Sequence, residues 1–435
     1  MENFFCTLRP AAGSSESLPD PVRTEFDKDY DRILFSHPFR RLQDKTQVVP
    51  LARHDFVHNR LTHSLETSVV GRTLGRRAGL ILQQRFPRDF PSHINAQDVG
   101  TLVSAACLAH DIGNPPFGHA GEEAIGAAFE ELLEHPLLHG LSEADQEDLR
   151  RFEGNAQGFR ILADRSLRLT AALLATFMKY PCPVHLTPLS SSGISTKKFG
   201  FFQTEKDIAE EALRLCGLLK DGEGRRHPLT WLVEAADDIC YLIIDLEDAT
   251  RMGRLSFEEY LELLRPLCGG RLKEERLRAE PDVNESLGLL RALAINSLAE
   301  AVLEVYDICL PAILDGSQKQ SLLSICRYFE HIERISQFSR ERIYNAPEVA
   351  EVQAVGFEVL SGLIKAFVLA VEKRFQGQQR RQDENLWLVL PPAVRHYLVQ
   401  APHLKARLHV LTDWIAGLTD QASVHLYRRL KGIAL

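Results

Sequence analysis

Apolar residues recur at three- and four-residue intervals over most of this chain, the period of a helix with one buried face. Helical patterns run roughly over 59–84, 98–110, 121–134, 154–178, 205–219, 229–252, 283–310, 318–334, 347–374 and 391–430. Strand signals are sparse. The strongest falls in 182–203, where Pro183, Pro188 and the run Ser190 to Gly193 interrupt helix and predict a loop or a short hairpin. Polar breaks fall at 219–228, 268–282 and 375–385, and no repeat of 20–50 residues is present. The pattern predicts an all-α fold with one irregular or hairpin insertion. Residues 1–22, rich in Pro, Gly and Ser, read as a flexible tail.

Composition narrows the class. The chain has 435 residues, 45% hydrophobic and 25% charged, as a globular protein does, and is long enough for one large domain or two. A formal net charge of −8 argues against a protein that coats nucleic acid along its whole surface. One basic stretch stands out: Arg40, Arg41, Lys45, Arg53, Arg60, Arg72, Arg76 and Arg77. It reads either as solvated helix faces or as the wall of a phosphate pocket. The eight cysteines are scattered without a Cys-x-x-Cys pair and read as small buried hydrophobes. No run of 18 apolar residues is read as a membrane span and no secretory leader is read, so a reducing cytoplasm is expected.

The chemistry concentrates in residues 110–122. His110 and Asp111 close the apolar run Val99 to Ala109, a Gly/Pro turn follows, and His119 and Glu122 stand one helical turn apart. Adjacent helical side chains point about 100° apart, so His110 and Asp111 cannot both face a core. Imidazole and carboxylate together suit a divalent cation, which still requires further ligands. His63, in the segment Asn59 to Glu66, and Asp237, in the helical pattern Trp231 to Asp245, are candidates on separate helices. Asp238 competes with Asp237; the latter shares a four-residue stripe with Tyr241 and Asp245. Taken alone, that stripe also fits the exposed face of an amphipathic helix. His119 and Glu122 are close enough to touch, and a carboxylate that orients an imidazole makes an acid/base pair.

The order His … His-Asp … Asp resembles the HD superfamily of metal-dependent phosphohydrolases. Five blocks go further: Phe39 to Val48, Arg60 to Ser64, Gly113 to His119, Phe152 to Phe159 and Glu234 to Ile239. In this order they are similar to the deoxyguanosine triphosphate triphosphohydrolase family. The resemblance implies an HD-type catalytic core over 23–265 and a helical C-terminal region, 266–435, packed upon it. It implies metal ligation by His63, His110, Asp111 and Asp237, and acid/base work by His119 with Glu122. The metal is one divalent ion per site, Mn²⁺ or Mg²⁺, with Fe²⁺, Co²⁺ or Ni²⁺ also compatible with such ligands.

Further roles follow from the same likeness. Gln47 and Val48 match residues that touch the 3′-hydroxyl and the base. Asn155, Lys179 and Tyr180 match residues near the phosphates and sugar, and Arg60, three residues before His63 on the same helix face, suits a phosphate beside the metal. Tyr241 is expected to pack against the deoxyribose and Asp245 to bind its 3′-hydroxyl. Asn114 stands where eukaryotic relatives carry a histidine. The implied reaction is hydrolysis of a deoxynucleoside triphosphate, dGTP favoured, to the deoxynucleoside and inorganic triphosphate. The alternatives are an HD hydrolase of nucleoside monophosphates or cyclic dinucleotides, or a non-catalytic nucleotide- or DNA-binding regulator. Family members are commonly hexamers, which implies a homo-oligomer; single-stranded DNA is a candidate partner, and no membrane partner is expected. No roles are assigned to the C-terminal third, where only Ile343 to Glu348 resembles the family.

Overall fold

In a computed structural model of the protein, residues 1–10, 20, 22–47, 58–184, 198–273, 275, 277 and 280–433 are described. The predicted all-α character holds. The helices are α1 (Glu25–Leu34), α2 (His37–Arg40), α3 (Arg60–Arg85), α4 (Ala96–Ala109), α5 (His119–Leu133), α6 (Glu143–Arg150), α7 (Gly154–Leu162), α8 (Ala171–Phe177) and α9 (Lys206–Leu215). They continue with α10 (Thr230–Arg251), α11 (Phe257–Cys268), α12 (Val283–Asp315), α13 (Phe329–Ser339), α14 (Pro347–Phe375), α15 (Arg381–Val389), α16 (Pro392–Gln400), α17 (Leu404–Ala416) and α18 (Asp420–Leu430).

Polar side chains at helix starts explain where the long periodic runs divide. The run over 154–178 breaks because Asp164 accepts from the Ser166 amide at 2.8 Å and the Thr170 hydroxyl caps α8. The run over 391–430 becomes three helices because His403 and Thr419 cap α17 and α18. Helices α1, α6 and α11, outside the runs expected from periodicity, carry Thr24, Ser142 and Ser256 as caps. The polar break at 375–385 contains the start of α15.

The hairpin lies elsewhere than expected. Strands β1 (Leu219–Lys220) and β2 (Glu223–Gly224) pair antiparallel around Asp221 and Gly222. Both turn residues have positive φ, 51° and 82°, the conformation an Asp-Gly pair tolerates in a tight hairpin. Within 182–203 the described residues are irregular; 185–197 lie outside the described residues. The expected tail is also shorter than read. Residues Glu2–Phe5 form a 3₁₀ turn with Phe5 buried. Cys6 and Leu8 accept the Ala172 and Ala171 amides, and Arg9 pairs with buried Asp29 at 2.9 Å. One apolar anchor and one cation therefore fasten the first ten residues.

Two apolar cores form. One gathers α1, α3, α4 and α8–α13; the other gathers α5, α6 and α14–α18. A boundary at 265/266 does not separate them, because α5 and α6 pack around α14 while α12 and α13 join the first core. Helix α14 is long and apolar enough to cross a membrane, yet here it is the axis of the second core, lying along α5. In the first core α3 lies along α4. Gly71, Gly75 and Gly79 line that contact. A Cβ at Gly75 would stand 2.9 Å from Val103, and one at Gly79 2.9 Å from the Ala96 backbone. The glycines let two helix axes approach closely, which brings His63 of α3 toward His110 at the end of α4.

Candidate metal-dependent active site

Three chain segments deliver the expected ligands to one place. Asn59 caps α3 through a reciprocal pair with Thr62, so His63 falls in the first turn, fully buried. His110 ends α4. Asp237 sits in the second turn of α10. The His63 Nε2 to Asp237 Oδ1 distance is 3.0 Å, His110 Nε2 to the same oxygen is 3.3 Å, and the two imidazoles meet edge-to-face at 5.2 Å. One ligand atom from each of these three lies within 4.8 Å of the others, the spacing a single cation needs. His110 Nδ1 lies 2.7 Å from the Cys107 carbonyl, the partner expected of the ring nitrogen that does not ligate. His110 Nε2 is left buried without a hydrogen bond among the described residues. An orphaned imidazole nitrogen beside a carboxylate fits a divalent cation.

Asp111 is one step back. Its Oδ1 lies 3.6 Å from His110 Nε2 and accepts from Asn114 Nδ2, while its Oδ2 accepts from Arg60 Nη1 at 2.9 Å. Electrostatics concentrate negative charge here. Burial works to raise the Asp237 carboxyl, but His110 and His63 hold it well below the ordinary range. Burial also opposes ionisation of Asp111, which Arg60 and then His110 hold low. Burial disfavours charge on His110, yet Asp111 and Asp237 bring it up to about 9. Asp238, by contrast, is pushed by burial up to about 7, with Lys179 opposing.

His119 opens α5 and is 80% exposed along its side chain. Its Nδ1 lies 2.7 Å from Glu122 Oε2, and Glu122 Oε1 accepts from the Gly154 amide at 2.8 Å. The hydrogen bond to the Glu122 carboxylate lifts His119 above the ordinary imidazole range, with partial desolvation opposing. Burial would raise Glu122, but His119 and the Gly154 amide hold it low. The two residues before His119 both have positive φ: Phe117 at 63° and Gly118 at 58°. A bulky side chain in that region stores strain of about 1–3 kcal/mol and persists only where its surroundings impose it.

A cleft of about 470 Å³ joins these groups, within the range of small-molecule sites. Arg60, His110, Asp111, His119, Glu122 and Asp237 line it, with Gln47, Asn155, Lys179 and Tyr180. Gln47 Oε1 is buried without a hydrogen-bond partner among the described residues, which suits a ligand donor. Lys179 is pinned by Glu234 at 3.0 Å; burial disfavours its charge, but Glu234 and Asp238 raise it above the ordinary lysine range. Asn155 Nδ2 donates to Glu153 at 2.7 Å, and Tyr180 is buried beneath the Arg226 guanidinium. Val48 lies outside the described residues. Of the basic stretch, Arg60 faces the cleft; Arg40, Arg41, Arg72, Arg76 and Arg77 are exposed helix-face residues, Lys45 is buried, and Arg53 is outside the described residues.

The Asp237 stripe behaves differently along its length. Tyr241 lines the cleft and stacks on Tyr344 at 5.4 Å and 13°. Asp245 does not open on the cleft. It is 2% exposed, and the Tyr344 hydroxyl donates to its Oδ2 at 2.6 Å. The Tyr344 hydroxyl thus occupies the Asp245 oxygen that the expected sugar contact would use. Burial pushes Asp245 up to about 8, with Tyr344 opposing. Tyr344 was missed as a site residue, although its segment resembled the family. Lys198, 3.7 Å from Glu153, also lines the cleft, as do Val349 and Gln353. Nothing local marks these as ligands; they arrive from chain segments remote from the HD blocks.

Residues 60–173 match the HD domain, and residues 327–429 match the phosphohydrolase-associated domain. The chain is 42% identical to a deoxyguanosinetriphosphate triphosphohydrolase-like protein of Synechocystis sp., covering 95% of each chain. It is 37% identical to a protein of the same description in Pseudomonas aeruginosa, over 94% of each. It is 30% identical, over 93% of each, to the deoxyguanosinetriphosphate triphosphohydrolase of Yersinia enterocolitica. This chain belongs to the deoxyguanosinetriphosphate triphosphohydrolase-like family. Membership makes it a hydrolase, a metal-dependent HD phosphohydrolase, and a divalent cation is implied with the His63, His110 and Asp237 cluster able to hold it.

Proposed function

We propose that this family member hydrolyses a deoxynucleoside triphosphate at the α-phosphorus, dGTP favoured, releasing the deoxynucleoside and inorganic triphosphate. The observation that carries the reading is one cleft lined by His110 and Asp237, the His119–Glu122 pair, the cations Arg60, Lys179 and Lys198, and the Tyr241–Tyr344 stack. Cations, acid/base group and flat apolar face are what a phosphate tail, a scissile ester and a nucleoside respectively require. The Yersinia relative's description favours dGTP among the bases.

His63, His110 and Asp237, with Asp111 beside them, would hold the cation. When bound, it supplies Lewis-acid activation of a phosphate oxygen and of water. Water adds to the α-phosphorus and the bond to the 5′-oxygen breaks. His119, aligned by Glu122, carries the proton that the departing 5′-oxygen takes up. Arg60, Lys179 and Lys198 offset the charge of the triphosphate under attack. The aromatic pair holds the sugar, and Gln47 offers its side-chain oxygen to a nucleoside donor. Assembly into a homo-oligomer and contact with single-stranded DNA belong to the same proposal and rest on the family resemblance.

Two measurements test this. Chromatography of products from the four deoxynucleoside triphosphates with Mn²⁺ or Mg²⁺ is expected to show deoxynucleoside and triphosphate. Release of pyrophosphate or single phosphates, or turnover only of monophosphates or cyclic dinucleotides, would overturn it. The sugar face makes the second. A 2′-hydroxyl against the Tyr241 ring would be buried unpaired, at about 1–3 kcal/mol, roughly 5- to 150-fold. dGTP should therefore be cleaved well and GTP poorly, and Tyr241→Ala should narrow the gap mainly by improving GTP. An unchanged kcat/KM ratio would remove Tyr241 from the sugar pocket.

A further inference from the structure

The turn that carries His119 is held from outside the HD domain. Asp420 opens α18 in the phosphohydrolase-associated region, 303 residues beyond Phe117, and is 2% exposed. Its two oxygens divide their work. Oδ1 accepts from the Phe117 amide at 3.0 Å. Oδ2 accepts from the Thr46 amide at 2.9 Å and the Thr46 hydroxyl at 2.7 Å. Phe117 lies two residues before His119 and adopts positive φ; Thr46 immediately precedes Gln47, and both line the cleft.

Two further contacts bind the same elements. Lys45, buried, donates to the Asn114 carbonyl at 2.6 Å and to the Ala416 carbonyl of α17 at 2.8 Å. On α14, Gly356 faces the Phe117 ring, which occupies the space a Cβ would take. The positive-φ turn is therefore imposed by α14, α17 and α18 together. A carboxylate is the side chain able to do this from one position. It has acceptor capacity for three donors on two segments, and the start of a helix favours its charge.

We propose that Asp420 is a positioning residue: it clamps the acid/base turn of His119 to the nucleoside-binding segment at Gln47, and supplying this clamp is a function of the C-terminal region. Asp420 is not among the residues that line the cleft. It fixes where the His119 ring stands relative to the scissile ester, once nucleoside and triphosphate are bound. The clamp rests on the proposed reaction for its catalytic meaning, but its geometry is independent of which substrate is turned over.

The test uses the full chain loaded with Mn²⁺. Asp420→Ala is expected to lower kcat about 10²-fold, the effect of a displacement of about 1 Å, while KM and bound Mn²⁺ stay near wild type. Asp420→Asn keeps one acceptor oxygen and should fall between the two. Amide hydrogen exchange in a peptide covering 114–120 should accelerate in both variants without any substrate. Tyr427→Phe, which removes the α18 hydrogen bond to Glu358, controls for a loosely seated helix and should leave kcat unchanged. Wild-type kcat in both Asp420 variants, loss of Mn²⁺ in step with rate, or unaltered exchange would overturn the clamp. Should Asp420→Ala fail to fold, Asp420→Asn carries the same readouts. Absence of dNTP turnover by wild type would instead overturn the proposed function, and the exchange comparison would still decide the clamp.

Discussion

Asp237→Ala is expected to strip the metal and bring turnover down to background, while Asp238→Ala keeps most of both. The neighbours differ by one residue and face different partners. Asp237 Oδ1 lies between two imidazole nitrogens, at 3.0 and 3.3 Å, and without it the pair has no shared anionic ligand. Asp238 belongs to the charge field of Lys179 and Glu234, so its loss should weaken substrate affinity before it weakens metal retention. Metal analysis of the purified variants, with circular dichroism to check helicity, reads the difference. Stoichiometric metal in Asp237→Ala, or its loss from Asp238→Ala alone, would move the ligand by one position. Asp111→Ala should lose metal as well. Its carboxylate lies beside His110, and its removal leaves Arg60 as an unpaired buried cation next to the site.

His119→Ala is expected to keep the metal and the substrate but lose roughly 10²–10⁴-fold in kcat, the range for one acid/base group. Its pH behaviour gives a sharper check. Glu122 raises His119, so the ring stays protonated to a higher pH than a free imidazole. If the protonated ring serves the leaving oxygen, activity is full below that raised value and falls as pH climbs through it. Glu122→Gln removes the negative partner, lowers the ring's affinity for a proton, and should move the basic limb of the rate profile to lower pH. A shift to higher pH, or no basic limb in wild type, would assign His119 a different role. Loss of metal in His119→Ala would make it a ligand.

The chemistry of the site was legible because it is local. His110-Asp111 ends an apolar helix at any depth of burial, and His119 and Glu122 touch because they stand three residues apart. The resemblance then drew His63 and Asp237 to them. The stripe Asp237–Tyr241–Asp245 was readable as a stripe, since helical spacing is a property of sequence. How far along it the cleft reaches was not. The cleft stops at Tyr241 because Tyr344 covers Asp245. That cover comes from a segment about 100 residues away, and no periodicity within α10 encodes it.

The same division holds throughout. The chain by itself determined an all-α fold, helices α3, α10, α12 and α14 to within about five residues though not the 318–334 run, which forms α13 at Phe329–Ser339, and the donor types for a cation and a proton. These depend on contacts within one or two turns. Tertiary structure decided that residues 1–10 pack down, that α5 joins α14 rather than the first core, and that Tyr344 and Lys198 reach the cleft. It also decided which of the early basic residues is a pocket wall. Arg60 faces the cleft because the Asn59 cap and the close α3–α4 contact turn that end of the helix inward, whereas Arg72, Arg76 and Arg77 face outward. Asp420 shows the limit most plainly. In sequence it is the acidic first residue of a terminal helix, and only the closing of α18 onto the turn at Phe117 places its two oxygens on segments of the cleft wall.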